Sequence, residues 1–135
     1  IPVFTPHNNY FRRNNLRETG DWDAGVWIPL KHLLSMNAGQ AILQTGQTTR
    51  SFYAQVWALA LFLREASPKT YGDGFRKLMA DAGTERIRIV IKAYQATHTE
   101  SEGVSEGEII FRHYITEDLD TFEHDYRNFS RKLVR

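Results

Sequence analysis

The sequence predicts an all-α fold: a compact bundle of about six helices around one central buried helix at residues 49–66, with an irregular N-terminal arm. Three observations lead there. Residues 49–66 (TRSFYAQVWALALFLREA) are apolar nearly all the way round from Tyr53 to Leu63, and a helix without a polar stripe is normally buried on every side. Elsewhere, apolar residues recur at i, i+3, i+4 and i+7, the period of a helix face. The alternating run RIRIVI finds no partner strand in the rest of the chain.

The elements follow in order. Residues 1–25 form the arm, with Pro2, Pro6, an Asn-rich stretch and one short turn around Leu16. Phe4, Tyr10, Phe11 and Trp22 would pin the arm against a surface, offsetting its ordering entropy. Residues 26–135 form a single helical domain. Trp27, Ile28, Leu30, Leu33, Leu34 and Met36 give its first helix, with Pro29 in the first turn and Asn37 and Gly39 as the stop. The central helix comes next and ends at Ser67 and Pro68. A following helix carries Phe75, Leu78 and Met79 on one face, with Gly83 at its end. Residues 84–98 fit both periods, and their length favours helix. Ser105 and Glu108 match a capping box that opens a short helix through Tyr114. Thr116 or Asp118 then caps a last helix bearing Leu119, Phe122, Tyr126, Phe129 and Leu133.

Composition sets bounds on function. At 135 residues, 41% hydrophobic and 13% aromatic, the chain can build one core and is too short for two ordinary domains. Seventeen basic against sixteen acidic residues leave no electrostatic ground for nucleic acid or an anionic membrane as partner. No apolar run approaches the roughly 20 residues of a membrane span. The absence of Cys excludes disulfides, thiolate metal sites and cysteine nucleophiles. Compartment stays open, leaning extracytoplasmic or secreted. Because the first residue is Ile, the chain reads as a piece of a longer protein.

Local motifs add little chemistry. His7, His32, His98, His113 and His124 show no metal-ligand spacing, so each reads as an ordinary imidazole. Glu100, Glu102, Glu106 and Glu108 lack the spacing of a calcium loop. Arg12, Arg13 and Arg17 have local acidic partners in Glu18, Asp21 and Asp23, and Gly72 and Gly74 do not make a phosphate cradle. Trp22 and Trp27 read as anchors of the arm or as an interface.

The stretch SFYAQVWALALFLREASPKTYGDGFRKLMADAG resembles gluzincin metallopeptidases of the aminopeptidase N type. There a tyrosine opens a buried helix after the zinc-binding helices, and a Phe-bearing helix follows. Tyr53 sits where that tyrosine would sit, with Phe75 and Leu78 in the next helix. The aromatic ending ITEDLDTFEHDYRNFSRKLV is similar to the closing helix of such domains, and a still nearer likeness is to an uncharacterised bacterial peptidase-like family with a YAQxWALxxFL core, to which WIPLKHLLSM is also similar. Gln55 and Val56 stand where the aminopeptidases have Lys-Gly, and His-Glu-x-x-His is absent from the chain.

The resemblance implies a C-terminal helical subdomain that forms part of a substrate cleft. It makes Tyr53 the stabiliser of the transition state, with Arg50, Gln55 and Trp57 beside it as binding residues. It also implies no cofactor in this chain and zinc in the parent protein. The partners would be the missing N-terminal catalytic portion and a peptide substrate, and the piece would be inactive alone. The alternative is a non-catalytic helical module that binds protein or peptide, a degenerate peptidase.

Overall fold

Helix starts in this chain are written by side chains that satisfy the first free N–H groups. Thr84 Oγ1 accepts from the Arg86 N–H at 3.2 Å, Ser105 Oγ from the Glu108 N–H at 3.1 Å, and Asp118 Oδ1 from the Thr121 N–H at 3.1 Å. The computed structural model describes residues 16–17, 27–36, 46–66, 68–101 and 103–134. Among them the fold is all-α, with six α-helices and no strand: α1 (Leu30–Ser35), α2 (Gly46–Leu61), α3 (Asp73–Asp81), α4 (Glu85–Thr97), α5 (Glu106–Tyr114) and α6 (Leu119–Leu133). RIRIVI is helical, as its length indicates, and lies in α4. Asp118 rather than Thr116 caps α6, and the Thr121 hydroxyl and N–H hold its carboxyl below the usual range. Only half of the expected capping box forms at α5: the Glu108 carboxylate accepts instead from Arg112 Nε at 2.9 Å.

Two boundaries differ from the sequence reading. α1 is confined to Leu30–Ser35, because Trp27 and Ile28 precede it in non-helical backbone, and the expected stop at Asn37 and Gly39 lies outside the described residues. The central helix begins at Gly46, ahead of the expected start at residue 49. It widens into a π-helical turn at Phe62–Ala66, and a second such turn, Pro68–Gly72, leads straight into α3; Ser67 itself lies outside the described residues. Pro68 is tolerated because it opens its turn, where its missing N–H removes no essential bond.

α6 closes the core over the inner face of α2. Phe122 and Tyr126, neither with any exposure, meet Phe62 at ring distances of 5.3 and 6.4 Å, and Phe122 also meets Tyr71 at 4.9 Å and Phe111 at 4.7 Å. Leu16, Trp27, Leu30, Ala54, Ala58 and Leu119 complete this core. Leu16 is thus the arm's one anchor among the described residues, and the neighbouring Arg17 donates to the Val134 carbonyl at 3.1 Å. Phe4, Tyr10, Phe11, Arg12, Arg13 and Trp22 lie outside those residues. Two glycines permit close crossings: a Cβ at Gly74 would overlap the Tyr114 carbonyl, and one at Gly107 the Leu34 carbonyl. These seat α3 and α1 against α5.

α4 is fastened differently. Ile91 is its one fully buried residue, while Ile89 is 63% exposed. Polar links do the rest: Arg88 pairs with Glu106 at 2.9 Å, and the Tyr94 hydroxyl donates to Glu117 at 3.4 Å. Arg112 joins this network by donating to both Glu108 and Glu117.

Candidate functional site

The central helix is not buried on all sides, which corrects the expectation from its composition. Its inner residues, Ser51, Phe52, Ala54, Gln55, Ala58 and Leu61, are buried. Its outer line is not: Arg50, Val56 and Ala60 are exposed, and Tyr53 and Trp57 are half-buried. With 3.6 residues per turn, Tyr53, Val56, Trp57 and Ala60 fall along one side of the helix. The resemblance-derived Tyr53 therefore stands on the outer face, among apolar neighbours.

Tyr53 is held from below. It packs with a small cluster of Ile28, Leu33 and Phe52, and its ring meets that of Phe52 edge-on at 5.3 Å. Two residues along, Gln55 has no exposure, and its side chain is bound at both ends to one peptide unit. Its Oε1 accepts from the Ile28 N–H at 2.9 Å, and its Nε2 donates to the Ile28 carbonyl at 2.8 Å. The Gln55 backbone carbonyl in turn accepts from the Tyr126 hydroxyl at 2.8 Å. Gln55 is therefore a clamp that fixes residues 27–29 on α2 and α6. With no exposure, this amide is turned to the interior and spends a bond at each end on the Ile28 peptide. Next along the chain, Leu30 donates its N–H to the Glu123 carboxylate at 2.7 Å, which places a negative charge at the start of α1.

The other two candidates separate. Trp57 packs its inner edge on the core and lines a cleft of about 350 Å³ with Ala60, Leu61, Arg64, Phe75 and Met79. Arg50 is exposed near the helix start, apart from that cleft. A second cleft of about 230 Å³, almost wholly apolar, lies on the opposite side of Ala60; Val56, Leu59, Leu63, Leu78 and Ile110 contribute to it, and Phe75 borders both clefts. Met79 is 54% exposed and Val56 39%, so large apolar side chains meet solvent along this face. Of the three apolar residues placed on one face of α3, Phe75 and Leu78 are half-buried and Met79 is exposed.

Val56, Ala60 and Met79 were not singled out from sequence as functional. The composition of the central helix gives no sign of which side meets solvent, because apolar residues stand on both. Trp27, read as an anchor or an interface, is an anchor: it is buried, with its ring 5.2 Å from that of Tyr126 and the Arg127 guanidinium 5.5 Å from its centre.

Zinc finds no site among the described residues. Among the described residues no group of three or more His, Asp or Glu side chains is close enough to hold a metal ion. His98 stacks on Tyr94 at 3.8 Å, His124 contacts Asn128, and His32 and His113 are exposed, while His7 and Glu102 lie outside the described residues. Among the described residues, no helix is long and apolar enough to cross a membrane. No known family model, curated protein or solved structure matches the chain.

Proposed function

We propose that this chain is the helical portion of a zinc-peptidase-like protein, and that a zinc-bearing portion of polypeptide seats on the outer face of α2. One observation carries the reading. Half-buried Tyr53 lies on the same side of α2 as the exposed Val56 and Ala60, which border two apolar clefts that Tyr53 itself does not line, while the helix is held from behind by Gln55 and Tyr126. An apolar face of that kind marks a surface made to be covered. A tyrosine held midway along a rigid helix is also a well-placed hydrogen-bond donor.

The division of labour then follows. The metal ligands and the water-activating base belong to the other portion. This chain supplies a wall of the cleft and the Tyr53 phenol, which donates to the oxyanion formed when the peptide carbonyl is attacked. A donor aimed at developing charge in a site shielded from water is worth far more than the same bond in water. Alone, the 135-residue chain is inactive on peptides.

The test is Tyr53→Phe in the natural protein that contains this sequence. kcat is expected to fall about 100- to 1000-fold, the usual loss for one such donor, with zinc content and unfolding midpoint unchanged. An unaltered kcat would remove Tyr53 from the chemistry. The two apolar clefts also suit the alternative reading, a non-catalytic module that holds apolar peptides. A natural protein that binds no zinc yet retains peptides through this face would establish that alternative.

A further inference from the structure

We draw no further inference here: the strongest candidate, the polar cleft of about 270 Å³ lined by Tyr94, His98, Glu100, Glu108, Arg112 and Glu117 beside α4 and α5, is an acidic cluster whose bonds run among its own side chains, and nothing in the structure points to a ligand for it.

Discussion

The two faces of α2 are both apolar, yet they do opposite things. The inner face is closed by aromatic rings from α6 and by two hydrogen bonds from one glutamine amide. The outer face carries half-buried Tyr53 and, beside half-open clefts, the exposed Val56 and Ala60. Hydrophobic residues report that a surface is to be covered, but not what covers it. Inside this chain the cover is α6, and on the outer side it is the proposed zinc-bearing portion.

Substitutions should separate the faces sharply. The largest loss is expected for Phe62→Ala, which removes a ring touching Tyr71, Phe122, Tyr126 and Phe129. Urea denaturation should record about 3–5 kcal/mol. A loss below about 1 kcal/mol would mean that the inner face is not the core. Next comes Gln55→Leu, which keeps the volume and leaves the Ile28 N–H and carbonyl without their partners. The expected cost is about 3 kcal/mol, since each buried polar group left unpaired costs about 1–3 kcal/mol. If Gln55 served only a ligand, the same change would leave stability untouched.

Alkaline pH tests the inner side by another route. Burial first, and then the hydrogen bond and negative charge of Asp81, push the Tyr114 phenol up to about 12. Burial, with the nearby Glu123 charge adding to it, raises Tyr126 as well. Each phenol holds its proton more tightly in the folded chain than in the unfolded one, where it titrates near 10. Their contribution is therefore complete below pH 10 and is lost as pH rises through 10 towards the raised values. Urea midpoints should fall between pH 9.5 and about 11.5, and Tyr114→Phe should make that fall shallower. A flat profile would show that these hydroxyls are not sequestered.

The smallest effect belongs to the outer face. Val56→Ser with Met79→Gln should change the stability of the 135-residue chain by no more than about 0.5 kcal/mol, because both side chains already meet solvent. A change as large as that of Gln55→Leu would erase the distinction between the faces.

What was legible in the sequence follows the same division. Local rules placed the helices well: Thr84, Ser105 and Asp118 act within two or three residues, and the caps they make are those their side chains permit. The widening of the central helix at Phe62–Ala66 into a π-helical turn, followed by a second such turn at Pro68–Gly72, was not legible, although both bring aromatic rings, Phe62 and Tyr71, into the core. No local signal announces that outcome, which is settled by packing against Phe122. The interior bonds of Gln55 were not foreseen for a similar reason. Its partner, Ile28, lies 27 residues away, and nothing in the spacing reveals the pairing. The exposed side of α2 was hidden by its own hydrophobicity, since Val56 and Ala60 read the same whether they face α6 or solvent.

The most direct measurement is the oxidation of Met79 by dilute hydrogen peroxide, followed by mass spectrometry, in the 135-residue chain and in the natural protein that contains it. At 54% exposure Met79 should oxidise readily in the short chain. In the natural protein, with the outer face covered, it should be strongly protected. Equal oxidation in both would leave that face open to water and contradict the account.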